Sequence, residues 1–203
     1  MSYTAAVLIV ACGPTTSAPT RGGSTPPPPV AVEAGFEPGS GAEAPPSAPI
    51  APAEPTLDAD ARALLDAHNQ HRVSHCAPPL AWSAALARTA QAWADGLGAR
   101  GCTLEHSRSA HGENLAAGTA GSLPAAGVVA LWYRESARYS FRHPGFSMQT
   151  GHFTQLVWRN TTEVGCGRTA CGGLELWVCN YDPPGNVQRA YEDNVLPTSC
   201  RER

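Results

Sequence analysis

The chain has 203 residues, a net charge of −3 and 14 basic side chains, all of them Arg. No cluster of five or more basic residues occurs, so the sequence lacks the electrostatic footprint of a nucleic-acid-binding protein. Composition is uneven: twelve of the 19 Pro fall between Pro14 and Pro55, whereas all five Trp and six of the seven Cys lie from Leu57 onward.

Ala5 to Ala11 is apolar but far shorter than the roughly 20 residues a membrane-spanning helix needs. Ile9-Val10-Ala11-Cys12 resembles a bacterial lipobox, and Cys12 is the odd cysteine once the other six pair. Residues 1–12 are therefore read as a signal peptide with Cys12 as the lipidated residue, the lipid being the chain's membrane attachment. An ordinary cleaved signal is the alternative, and Met1 to Thr4 lacks the positive charge that signal n-regions normally carry. Residues 13–56 contain one basic residue, Arg21, and one aromatic, Phe36. Such a segment buries too little apolar surface to offset its ordering entropy, so it is read as a disordered Pro-rich linker. As a flexible coil it would span on the order of 35–40 Å.

Residues 57–203 are enough for one core. Leu57, Ala61, Leu64, Leu65 and His68 recur at helical spacing, with Asp58 and Asp60 in the first turn. Ser83 is positioned to cap a second helix with the stripe Leu86, Ala90, Trp93, Ala94 and Leu97, stopping at Gly96-Leu97-Gly98. Ser122 caps a third, with Pro124 in its first turn and the stripe Val128, Leu131, Trp132 and Glu135. The later sequence changes character. His152–Trp158, Leu174–Tyr181 and, less clearly, Val164–Cys171 read as strands, and Asp182-Pro183-Pro184-Gly185-Asn186 reads as a turn. Helices first and strands later give an α+β layer fold.

Cys76, Cys102, Cys166, Cys171, Cys179 and Cys200 form an even set, for which three disulfides are the default. A zinc site competes, but Cys166, Cys171 and Cys179 contain no CxxC pair. Fifteen connectivities are open to six cysteines, and spacing does not choose among them.

Glu135 is the most informative single residue. A carboxylate on a core-facing stripe must be paired, hydrogen-bonded or at the rim of a cavity. His152 sits at the end of an expected strand, on a partly apolar face. His106 and Glu113 flank the polar loop Ser107–Gly112, with His111 as a competing partner for Glu113. Together two His and two Glu suit an N2O2 divalent-metal site or a general acid/base site.

Four segments carry a family resemblance. They are His68-Asn69 with Arg72 and Pro79–Ser83; His106-Ser107 with Gly112–Ala116; Gly151–Asn160; and Val178–Val187. In this order and spacing they resemble the CAP superfamily of cysteine-rich secretory proteins, antigen five and pathogenesis-related proteins, in a bacterial lipoprotein-like member. The resemblance implies an α-β-α sandwich with an antiparallel sheet between helical layers, stapled by disulfides. It implies a cavity lined by His106, Glu113, Glu135 and His152, whose imidazoles hold Zn2+ or another divalent cation while the glutamates sit beside it. It pairs Cys102 with Cys171 and Cys166 with Cys179, leaving Cys76 and Cys200 as the third pair.

The expected function is that of a secreted or envelope-anchored binding module for a lipid, a cell-wall component or a partner protein. A metal-assisted hydrolase with Glu113 or Glu135 as base, and a structural envelope protein, are the alternatives. No catalytic residue is assigned, because no activated nucleophile stands out.

Overall fold

The computed structural model describes residues 8–10 and 57–200. The expected lipidation site Cys12, the linker 13–56 and, apart from the backbone of Leu8–Val10, the signal segment 1–12 lie outside the described residues.

Helix α1 spans Ala59–Ser74. Asp58 is its N-cap rather than a first-turn residue, accepting a hydrogen bond from the Ala61 amide at 2.8 Å. The buried positions Ala61, Leu64, His68 and Arg72 follow the helical period, so two of the four inward side chains are polar. After strand β2, Ala81–Trp82, helix α2 covers Ala84–Ala99 and buries Leu86, Ala90, Ala94 and Leu97. Ser83 occupies the N-cap position of α2 without a side-chain capping bond, and Trp93, expected on the buried stripe, is only half-buried.

Strand β3 is Gly112–Thr119, and helix α3 is Ala125–Tyr133 with Pro124 rather than Ser122 at its N-cap. The Ser122 hydroxyl instead donates to Thr119 O at 2.6 Å. A 3-10 turn, Arg134–Arg138, continues from α3 and carries Glu135. Helix α4 is Gly151–Leu156, so the expected strand from His152 is corrected to a short helix. All six of its residues are buried, and a short run buried on every side has no periodicity to separate helix from strand. Strands β4, Glu163–Cys171, and β5, Leu174–Asp182, form a hairpin closed by Gly172 and Gly173, both at positive φ. Helix α5, Tyr191–Asn194, follows.

With Leu8–Val10 as strand β1, the sheet order is β1-β3-β5-β4-β2. The expected antiparallel sheet holds for β1, β3, β5 and β4, and the two-residue β2 adds a parallel edge beside β4. One core, including Leu64, Trp132, Phe153, Trp158, Trp177 and Tyr181, joins α1, α3 and α4 to one face. The other, including Ala90, Ala94, Leu97, Leu115, Leu176 and Val178, joins α2 to the opposite face. The result is the α-β-α sandwich. α2 packs closely because Gly165 and Gly167 face it: a Cβ at the first would collide with Ala87 N and Ser83 O, and at the second with the Gln91 backbone.

The disulfides are Cys76–Cys200, Cys102–Cys171 and Cys166–Cys179. The last joins residues directly opposite in the β4–β5 register. Cys76–Cys200 ties the tail to the end of α1, where His75 Nδ1 also bonds Leu196 O at 2.6 Å.

Candidate functional site

The four His and Glu residues form two dyads. In the first, His106 Nδ1 lies 2.7 Å from Glu113 Oε1, which also accepts the Ser107 amide at 2.9 Å. Glu113 is 2% exposed and its Oε2 has no hydrogen-bond partner among the described residues. β3 places Glu113 opposite Asn180 of β5, another fully buried residue whose amide atoms lack partners. His111, the competing partner, instead faces Asp182 at 3.8 Å.

In the second dyad, His152 Nδ1 lies 2.7 Å from Glu135 Oε1. Glu135 Oε2 accepts the backbone amides of His152 at 3.0 Å and Phe153 at 3.1 Å. These amides are in the first turn of α4, where a helix leaves its N–H groups without internal acceptors and where the dipole favours an anion. Glu135 therefore caps α4 from a different element. That satisfies a 6% exposed carboxylate and orients the imidazole, whose ring lies parallel to Trp132 with centroids 6.2 Å apart.

Asn114 connects the dyads. It follows Glu113 in β3, and its Nδ2 donates to His152 O at 3.2 Å and to Tyr181 Oη at 3.2 Å. The chain of bonds continues from Tyr181 to His68 Nε2 at 2.9 Å and from His68 Nδ1 to Leu64 O at 2.7 Å. A carbonyl only accepts, so His68 Nδ1 carries the proton and Nε2 accepts from the Tyr181 hydroxyl. Burial pushes the His68 pKa down to about 4 from 6.5, which keeps that neutral tautomer at neutral pH. The network rests on Asn114, Tyr181 and His68, none of which was singled out from sequence as a site residue. A histidine on an otherwise apolar helical stripe was the available signal.

Among the described residues, no group of three or more His, Cys, Asp or Glu gathers as a set of metal ligands. The four site residues stand as two pairs, not as an N2O2 cage, because Glu113 Oε1 and both Glu135 oxygens are directed to Nδ1 atoms and backbone amides.

Residues 65–181 match the family model for CAP, the cysteine-rich secretory protein family. The chain belongs to this family. The CAP match covers the dyads and the network joining them. Protein PRY2 of Saccharomyces cerevisiae is 43% identical over 139 residues, which are 66% of this chain and 40% of that protein. Pathogenesis-related protein 1C of Nicotiana tabacum is 44% identical over 126 residues, 61% of this chain and 74% of that protein. Among solved structures, Schistosoma mansoni venom allergen-like protein 4 is similar with a TM-score of 0.55 and 28% identity, over 70% of this chain and 99% of that one. The chain spans less than half the length of PRY2. These CAP relatives are fungal, plant and animal, and they give no support to the expected bacterial lipoprotein affiliation.

Proposed function

We propose that this chain is an extracellular CAP binding module whose recognition centre is the pair of dyads His106–Glu113 and His152–Glu135, with affinity for a divalent cation. One observation carries the reading: each imidazole is bonded through Nδ1 to a buried carboxylate at 2.7 Å. A carboxylate accepting from Nδ1–H fixes the tautomer with the lone pair on Nε2, the usual preparation of a metal-binding histidine.

The donor chemistry fits a divalent ion of the zinc type through two imidazoles. His106 and His152 would hold it, and Glu113 and Glu135 would orient them. A bound ion would supply positive charge for a carbonyl or anionic group of a ligand. Asn114 keeps the backbone of His152 in register with β3, so the spacing of the two histidines is set by the sheet.

Binding is favoured over nucleophilic hydrolysis by the neighbouring serine. Ser107 donates its hydroxyl to Ser109 Oγ at 3.0 Å, and His106 Nδ1 is bonded to the Glu113 carboxylate. The extracellular setting is supported by three disulfides in a domain of this size, which persist in oxidising compartments. An export signal in residues 1–12 and a spacer in 13–56 belong to the same reading. Lipid, cell-wall and protein ligands remain the candidate partners.

The test is calorimetric titration of the purified chain with zinc chloride, beside thermal melting with and without chelator. Wild type is expected to bind one ion and melt higher when loaded. His106→Ala and His152→Ala are expected to lose both effects. A wild type that takes up no ion, with variants that merely melt lower, would leave the dyads a structural role.

A further inference from the structure

A groove lies between the start of α1 and strands β2, β4 and β5, and no residue of either dyad lines it. Its volume is about 460 Å³, within the range of small-molecule sites. Leu64, Trp82 and Trp177 give it apolar walls, while Asp58, Asp60 and Arg168 line its polar part. We propose that this groove binds a neutral carbohydrate, one or a few sugar rings of a glycan.

Three observations select that chemistry. First, Trp177 is 2% exposed and its buried Nε1 has no hydrogen-bond acceptor among the described residues. A buried donor of this kind calls for an oxygen that the described residues do not supply. Second, the charges disfavour ionic ligands. Arg168 is held between Asp60 Oδ2 and Glu175 Oε1, each at 3.1 Å, and Asp58 adds a further carboxylate to the lining. An anion would meet an acidic rim whose guanidinium is already paired. The Arg168 guanidinium also lies over the Trp177 ring at 5.2 Å, so a cationic ligand would meet a positive charge already seated beside the aromatic face, whereas a neutral one would not. Third, the groove offers both hydrogen-bond directions beside an aromatic wall. Carboxylates of Asp58 and Asp60 accept, the spare N–H groups of Arg168 donate, Trp177 lies in the wall beneath the Arg168 guanidinium, and Trp82 is half-buried with part of its surface open.

A sugar ring is complementary to this arrangement. Its C–H face packs on an indole, and its hydroxyls both accept and donate. Arg168 is the element that moves. Its side chain is 53% exposed, so a change of rotamer uncovers Trp177 without disturbing the core. This inference is independent of the His/Glu centre and stands or falls separately from it.

The experiment titrates the full chain with soluble neutral oligosaccharides (cellohexaose, laminarihexaose, mannohexaose and chitohexaose), with oligogalacturonate and choline as charged probes. The readout is the set of indole N–H signals in a nitrogen-15 NMR spectrum, with Trp177 assigned through Trp177→Phe. At least one neutral oligosaccharide is expected to bind saturably and shift the Trp177 signal, while the charged probes leave it in place. Trp82→Ala is expected to weaken binding by about tenfold, the loss of one stacking contact. Arg168→Met, at an exposed side chain, supplies a second variant if the Trp82 change disturbs folding, and it is expected to weaken binding as well. The proposal is overturned if no neutral oligosaccharide moves the Trp177 signal, if a charged probe occupies the groove instead, or if folded variants bind as wild type does.

Discussion

Glu135 holds His152 by side chain and backbone at once, accepting Nδ1 at 2.7 Å and the His152 amide at 3.0 Å. Glu113 repeats the arrangement one residue displaced, taking His106 Nδ1 at 2.7 Å and the Ser107 amide at 2.9 Å. Bonds to a carboxylate are shorter and stronger than neutral ones. The two acids therefore fix imidazoles carried by a loop and by a six-residue helix, neither rigid by itself. The sheet then joins the dyads through Asn114, so the geometry of the centre is inherited from β3.

Glu135→Ala should be among the most damaging single changes in the chain. It leaves the His152 imidazole and two backbone amides buried without their acceptor, a loss of roughly 3–5 kcal/mol. Glu135→Gln retains an amide oxygen for the backbone donors and should cost about 1–2 kcal/mol. Urea denaturation of both variants measures this. An alanine variant within about 1 kcal/mol of wild type would show that the cap contributes little.

The amphipathic parts of the fold could be read before any coordinates. α1 and α2 show an apolar stripe at helical spacing, and the β4–β5 hairpin is announced by Gly172-Gly173 between two β-rich runs. α4 could not be read as a helix, since a segment buried on every side has no polar face to give its period. Glu135 stood out as a carboxylate on a core stripe, yet its position in a 3-10 turn and its capping of α4 depend on contacts 17 and 18 residues away. The choice between His106 and His111 for Glu113 likewise depended on how the intervening loop folds. Gly165 and Gly167 sit inside β4 where α2 needs room, a role set by tertiary packing rather than by local sequence.

Arg72 is a fully buried cation without a carboxylate partner among the described residues. It donates to four carbonyls, Pro78 O, Leu156 O, Trp158 O and Thr161 O, at 2.8–3.0 Å. Leu156 ends α4, so this guanidinium fixes the exit of the helix that carries His152. Arg72→Met should cost roughly 3–5 kcal/mol, because four buried acceptors lose their donors. Arg72→Lys should recover little, as an ammonium cannot reproduce the planar fork. At about 2–4 °C per kcal/mol for a domain of this size, thermal melting resolves both effects. A lysine variant melting with wild type would remove the argument from fork geometry.

The three disulfides should differ in worth by the chain they close. Their separations are 124 residues for Cys76–Cys200, 69 for Cys102–Cys171 and 13 for Cys166–Cys179. Loop-closure entropy in the unfolded chain gives about 5 kcal/mol for the first and about 3 kcal/mol for the last. Paired Cys→Ser variants, unfolded in urea, should follow that order. The reverse order would mean that native-state packing around Cys166 and Cys179, on the β4–β5 register, outweighs the entropy of the unfolded chain.

His68 makes stability fall with acid in a defined window. Its ordinary pKa is 6.5 and burial, with the nearby Arg72 and His71 charges acting the same way, lowers it to about 4 in the folded chain. Between these values the unfolded chain binds a proton that the folded one does not. The contribution is therefore complete above pH 6.5 and is lost as pH falls toward 4, on the order of 3 kcal/mol in all. His71 and His75 are also lowered by burial and add in the same direction. Protonation would moreover turn His68 Nε2 into a donor facing the Tyr181 hydroxyl, which at present donates to it. Tyr181 would then have to turn its proton elsewhere, and the chain of bonds through Asn114 to the His152 carbonyl would lose its order. Urea unfolding of wild type and His68→Gln at about pH 7, 5.5 and 4.5 isolates the effect, since carboxylate titrations common to both cancel in the difference. The advantage of wild type over the variant should shrink steadily with acid. A difference that stays level across the three conditions would mean that His68 takes up its proton within the fold at little cost.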